Sequence, residues 1–169
     1  MRILLAATLV LTAVACSSAQ AAGLTTRVDQ VLGPYFTLQQ GIDAAFSASK
    51  IVVAPGVYQE CPVVTGLVLL TIVGKKGVVI DATGCDVGLT INDGEGVTVK
   101  GLTIVGAKQG IVVKPAAERV LITKTTVQDS GAGVLETGVT VESAPDATLD
   151  KVTVLGAKTR GVQVVSAPR

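Results

Sequence analysis

The side chains able to carry chemistry are few, and their types are restrictive. The chain of 169 residues has no His and no Trp, and only two Tyr and two Phe. Without imidazole there is no Ser-His-Asp triad, no Cys-His pair and no His-ligated zinc. What remains is three cysteines, Cys16, Cys61 and Cys85, and one stretch where carboxylates thicken: Asp81, Asp86, Asp93 and Glu95. Carboxylates on neighbouring turns can hold Ca²⁺, which takes about six to eight oxygen ligands, so Asp81, Asp86 and Asp93 form a candidate calcium set. Asp81-Ala82-Thr83-Gly84 and Asn92-Asp93-Gly94 are also ordinary turn sequences, in which Asx side chains bond their own backbone. No other cofactor is expected.

The first residues read as an address. Arg2 supplies a positive start, and Ile3 to Ala15 is an uncharged run of 13 residues, too short for a membrane-spanning helix of about 20. Ala19-Gln20-Ala21 fits the A-x-A rule for cleavage before Ala22, giving a signal peptide over 1–21 and one domain over 22–169. Ala13-Val14-Ala15-Cys16 offers a second reading, a bacterial lipobox in which Cys16 is lipidated, although Ala13 stands where Leu is usual. On either reading the protein is exported, secreted or periplasmic, and a lipid on Cys16 would be its one tie to a membrane. Removing Arg2 leaves 13 basic and 13 acidic residues. No segment of the sequence concentrates Lys or Arg, which argues against a nucleic-acid partner.

The elements that must position these groups are strands. Beyond residue 21, Val, Ile and Thr make up about a third of the residues, types that suit pleated strands. The sequence repeats itself, as Val97 to Ile104, Val120 to Val127 and Ala147 to Val154 align, with Thr103, Thr126 and Thr153 in one column; Thr65 to Ile72 reads as an earlier copy that adds Thr71. A second strand follows each copy, opening at Gly88, Gly110, Gly138 and Gly161, at intervals of 22, 28 and 23 residues. A unit of this size cannot bury its apolar face alone and must stack on its neighbours as a solenoid of about five coils. The longest interval holds Asp129 to Gly138, which reads as a loop bulging from one coil. Alternation points Leu89, Ile91, Val139, Val141, Val162 and Val164 inward and Thr90, Thr140 and Gln163 outward.

Ahead of the coils, which run over about 50–169, the spacing of Leu38, Ile42, Ala45 and Phe46 predicts an amphipathic helix over about 37–48. Thr37 and Gln40 make a capping box. This helix is placed to plug the N-terminal end of the solenoid, with Tyr35, Phe36 and Tyr58 packing around it. Cys61 and Cys85 lie 24 residues apart, about one coil. Stacked strands are about 4.8 Å apart, near the Cα separation a disulfide needs, so a bridge is expected in an oxidising compartment; two buried thiols are the alternative.

The motif Thr37-Leu38-Gln39-Gln40-Gly41-Ile42-Asp43-Ala44-Ala45, followed by Ile51-Val52-Val53-Ala54-Pro55-Gly56-Val57-Tyr58-Gln59-Glu60, resembles the N-terminal segment of right-handed parallel β-helix proteins of the pectate lyase-like superfamily. The later repeats resemble that superfamily's coils, from about Phe36 to the C-terminus. The resemblance implies an all-β, right-handed parallel β-helix with an N-terminal capping helix. It also implies acidic glycans as substrates, clustered carboxylates holding Ca²⁺, and an Arg base where the member is a lyase. Arg119 and Arg160 lie in turn segments, and Asp150 is the one acidic residue on the outward positions of the aligned strands, so no catalytic motif is carried over. The reading is a non-catalytic exported repeat protein presenting a surface to polysaccharide or to another cell-envelope protein. The alternative is a calcium-dependent polysaccharide lyase.

Overall fold

In the computed structural model residues 24–166 are described; the leader, the cleavage site before Ala22, the lipidation candidate Cys16 and the last three residues lie outside them. The described chain is all-β except for one short helix, and its strands form three all-parallel sheets wound into a solenoid of about six turns. The first sheet stacks Thr25–Val28, Lys50–Val53, Thr71–Gly74, Thr98–Lys100, Leu121–Thr123 and Thr148–Asp150. The second stacks Gly56–Gln59, Val78–Asp81, Thr103–Val105, Thr126–Gln128 and Thr153–Leu155. The third stacks Val63–Val64, Val87–Glu95, Gln109–Glu118, Thr137–Glu142 and Arg160–Val165.

Period-two alternation sends one apolar side chain per strand to the interior, where it stacks on its equivalent one coil away. On the first sheet Ile51, Ile72, Val99 and Ile122 form such a column, in register and fully buried. On the second, Tyr58, Ile80, Ile104 and Val127 do the same. The Tyr58 hydroxyl, inside that column, donates to the Ala54 carbonyl at 2.8 Å, and burial pushes its pKa up.

The chain turns between sheets through residues in the left-handed conformation. Gly101, Lys124 and Lys151 do so where the first sheet gives way to the second, with φ of 73°, 50° and 52°. Leu69, Gly96, Arg119 and Asp146 do so ahead of the first sheet, with φ of 56°, 67°, 50° and 55°. Left-handed turns recurring at the same place in successive coils keep the strands in register while the chain changes direction, Gly74 being an exception at the first of these corners.

The outline read from the sequence is present, with differences of detail. The helix spans Leu38–Asp43, shorter than 37–48: Thr37 and Gln40 form the expected capping box, but the helix stops at Ala44. Leu38, Ile42 and Ala45 are buried, whereas Phe46, beyond the helix end, is 71% exposed. The solenoid begins earlier than residue 50, because Thr25–Val28 pairs with Lys50–Val53. Thr71 does not extend the Thr column: it pairs with Thr98 on the first sheet, while Thr103 pairs with Val79. Both strands carry an apolar pair after Thr, so the composition does not distinguish the two registers. Thr140, read as outward, is buried. Val162 and Val164 continue the inward columns of the third sheet but are exposed, since no further described coil lies on them.

Candidate functional site

The coiling assembles a surface from residues far apart along the chain, of which the aligned repeats already put Gly101, Lys124 and Lys151 in one outward column next to Lys100. Gly74, Gly101, Lys124 and Lys151 succeed one another at the corner between the first and second sheets, following the register Val73–Lys100–Thr123–Asp150. Lys75 and Lys76 follow Gly74 in that corner, and Lys100 immediately precedes Gly101. Lys75, Lys76, Lys100, Lys124 and Lys151 are all exposed, and among the described residues none is in an ion pair. Four successive coils therefore put at least one ammonium on a single edge, one step of about 4.8 Å from coil to coil. Asp150 is the carboxylate at this corner, and it accepts a hydrogen bond from the Thr123 hydroxyl at 2.9 Å.

Beside the lysine edge runs the outer face of the second sheet. Thr103, Thr126 and Thr153 lie in register across three coils with their side chains outward, as expected from the repeat. The parallel outward column is Gln59, Asp81, Val105, Gln128 and Leu155. The site is thus a cationic edge flanked by three hydroxyls and, beyond them, by a mixed column of amide, carboxylate and apolar side chains. It can hold an extended anionic chain by charge and by hydroxyl hydrogen bonds. A non-Gly residue in the left-handed region costs about 1–2 kcal/mol, and two of these lysines occupy that region where Gly101 does so without the cost. Replacing Lys124 with Gly should consequently leave folding unharmed, or stabilise it by up to about 1 kcal/mol, while weakening any polyanion that the edge binds. Thermal melts paired with a binding assay check both halves.

The acidic candidates are not brought together. Asp81 folds back on its own turn, its Oδ1 accepting from the Thr83 backbone N–H at 3.1 Å and hydroxyl at 2.6 Å. Asp86 forms an ion pair with Lys108 at 2.7 Å, which holds its carboxyl below the usual range. Asp93 accepts from the Gly66 backbone N–H, and Glu95 pairs with Arg119. Among the described residues no three His, Cys, Asp or Glu side chains are arranged to hold a metal ion. The donor oxygens do not converge as Ca²⁺ requires. Arg119 is held by Glu95, and Arg160 donates to Gln163 at 3.2 Å on the last described strand. The lyase constellation of base and calcium carboxylates is therefore not assembled on these residues.

The two cysteines do meet. Cys61 and Cys85 are joined by a disulfide with Cα atoms 6.5 Å apart, linking two successive turns at the corner between the second and third sheets. Of the aromatic residues, Tyr58 is fully buried and Tyr35 packs on the core, whereas Phe36 is half exposed.

Besides Asp29, which accepts from the Val31 and Leu32 backbone N–H groups at 2.9 and 3.2 Å, two anchoring carboxylates escaped the sequence reading. The Glu60 carboxylate accepts from the backbone N–H groups of Leu38 and Gln39 at 2.6 and 2.8 Å, capping the helix from 21 and 22 residues away. Asp129 accepts four backbone N–H bonds, from Gly131, Gly133, Val134 and Leu135, at 2.7–3.1 Å. The only local signal for the second was Asp129 opening a Gly-rich stretch. Those bonds, chiefly from Leu135 and Gly133, hold the Asp129 carboxyl below its ordinary value. A lowered native pKa means that the stabilisation is complete above the unfolded carboxyl value of about 3.9 and is lost as the pH falls through the native one. Asp129→Asn should make the 129–136 loop sensitive to thermolysin at neutral pH, whereas the natural protein should yield there only in acid, to pepsin. Equal resistance of the two proteins at neutral pH would remove this role for Asp129.

The class of protein defined by these coils is the parallel β-solenoid, here with a helical cap and a lysine edge. No protein-family model and no curated protein sequence matches the chain. Among the described residues no helix is long and apolar enough to cross a membrane.

Proposed function

We propose that the chain is an exported, non-catalytic binding protein whose lysine edge and threonine column hold an acidic polysaccharide. The single observation that carries this reading is the alignment of Lys75, Lys76, Lys100, Lys124 and Lys151 along one corner of a rigid repeat, all exposed and outside every described ion pair. A rigid periodic array loses little conformational freedom on binding a periodic polymer, and preorganisation of that kind favours affinity. Exposed point charges act mainly through screened electrostatics, so the binding should fall as salt rises. Within this reading the protein is one of the right-handed pectate lyase-like β-helices that its cap motif and coils resemble. Right-handed crossovers are also the rule for parallel strands in one sheet. Export is consistent with the Cys61–Cys85 bridge, since disulfides persist in oxidising compartments.

The test is affinity electrophoresis of the purified protein through gels containing polyuronates, sulfated glycans or neutral glycans, with and without Ca²⁺. Retardation by acidic gels alone, decreasing with salt and reduced at least about tenfold in a Lys100→Glu, Lys124→Glu, Lys151→Glu triple variant, is expected. Retardation that survives those three substitutions would overturn the assignment to this edge. Chromatography of the recovered glycans reads out the alternative, because new unsaturated oligosaccharides formed with Ca²⁺ would make the protein a lyase.

A further inference from the structure

We propose that the Cys61–Cys85 disulfide is a redox-sensitive anchor of the N-terminal cap, so that reducing it loosens the helix over the first turn while the later coils stay folded. The helix has six residues, far fewer than the roughly 12–15 an isolated helix needs to be even marginal in water. Its place is therefore fixed from outside. Leu38 and Ile42 bury against the end of the core, and the polar attachments of the helix itself lead to residues 60–63, while the chain leaving it is tied to Val68, whose carbonyl accepts from the Ala48 N–H at 2.7 Å. Glu60 takes the first two helical N–H groups, as described above. The Gln39 side-chain amide closes a pair of bonds with the Val63 backbone, accepting from its N–H at 2.8 Å and donating to its carbonyl at 3.3 Å.

That segment has little support of its own. The third-sheet strand of its coil is broken into two short pieces, Val63–Val64 and Leu67–Val68, against an unbroken nine residues for Val87–Glu95 on the next coil, with which both pair. Pro62 offers no N–H to the ladder, although its carbonyl accepts from Thr90 at 3.0 Å. Cys61 stands between Glu60 and Pro62, and its bond to Cys85 ties the segment to the next coil. Both cysteines are half-buried and line an open cavity of about 280 Å³ together with Gln59, Glu60, Asp81 and Thr83. A thiol reductant can therefore reach the bridge. Two dithiothreitol thiols give two electrons and two protons to the S–S bond. The products are the Cys61 and Cys85 thiols and the cyclic disulfide of the reductant.

In a solenoid each coil touches only its neighbours, so loss of this anchor should open the end without opening the middle. Hydrogen exchange read by mass spectrometry, on oxidised protein and on protein reduced with dithiothreitol, tests it, with the thiol state verified by intact mass. The backbone amides from Gln39 to Ala45 should exchange at least about tenfold faster after reduction, and those of Thr98–Lys100 and Leu121–Thr123 should not change. Oxidised Glu60→Ala should show the same local acceleration with the bridge intact. Unchanged exchange in the reduced cap would overturn the proposal. So would uniform acceleration through all coils, which would make the bridge a global staple, and so would a Glu60→Ala cap that stays protected.

Discussion

Gly110→Ala is expected to destabilise the protein by about 3 kcal/mol, the upper end of the range for overpacked sites, whereas Gly161→Ala should lie within about 0.5 kcal/mol of the natural protein, as a surface change does. The two glycines belong to one column, Gly88, Gly110, Gly138 and Gly161, in register at the start of the third sheet. None of these glycines has a positive φ, so the argument is one of space alone. A Cβ on Gly110 would run into the Val127 side chain and the Gly138 carbonyl oxygen of the following coil. A Cβ on Gly138 would meet Val154 and the Gly161 carbonyl in the same way. The carbonyl belongs to the strand ladder and cannot move aside without breaking register. Around Gly161 nothing described lies within 4 Å of the added atom. Urea unfolding followed by far-ultraviolet circular dichroism would measure both variants; equal midpoints would show that the column is not a steric requirement.

That glycine column was legible in the sequence, as an interval of about one coil, although its reason was not. Periodicity reports that a position repeats. It does not report that the repeated position is a tight inner corner where one sheet's first residue faces the next coil's valine. The same distinction runs through the fold. Alternation in Leu89–Ile91 and Val139–Val141 gave the inward faces correctly, because a one-residue slip would expose every apolar side chain. The alignment of Thr71 with Thr103 failed because the copies share apolar-Thr-apolar strands on two different sheets, and only the chain length spent in the corners separates them. Thr25–Val28 went unseen as a strand because four residues bounded by loops carry no period, and its pairing with Lys50–Val53 is set by tertiary packing.

The site was less legible than the fold, and for a physical reason. The lysine edge is spread over 77 positions of sequence, from Lys75 to Lys151, so no window of the chain is basic. Winding collapses that distance to a few strand spacings. The carboxylates behaved in the opposite sense. Asp81, Asp86 and Asp93 are close in sequence, yet the strand between them carries Asp93 away from the corner that holds the other two, and each has its own partner, Asp81 on its own turn and Asp86 and Asp93 on neighbouring coils. Clustering along the chain and clustering in space are nearly independent in a solenoid, where residues about 22 apart are neighbours and residues 12 apart lie on different faces. Glu60 and Asp129 illustrate the remaining gap, since a side chain that binds backbone N–H groups leaves no partner residue type to search for.

Ile104→Ala should cost about 3–4 kcal/mol, within the range for deleting a large aliphatic side chain from a core that cannot collapse, and Val154→Ala should cost less than about 1 kcal/mol. Both residues sit in the same inward column, separated by Val127. Ile104 is fully buried between Ile80 and Val127, each of which is itself fixed in a strand ladder. The hole left by Ala at 104 would be walled by hydrogen-bonded backbone above and below, which cannot close over it. Val154 has Val127 on one side only among the described residues and is already partly exposed, so removing two methyl groups there leaves little cavity and little lost burial. The ratio of the two costs is more informative than either one. In a chain whose stability is a sum of coils and nearest-neighbour interfaces, a central substitution breaks two interfaces and an end substitution at most one. Chemical denaturation of both variants decides it. If Val154→Ala proves as damaging as Ile104→Ala, the last described coil must be covered in solution by structure beyond residues 24–166, and the exposed Val162 and Val164 would mark where that cover rests.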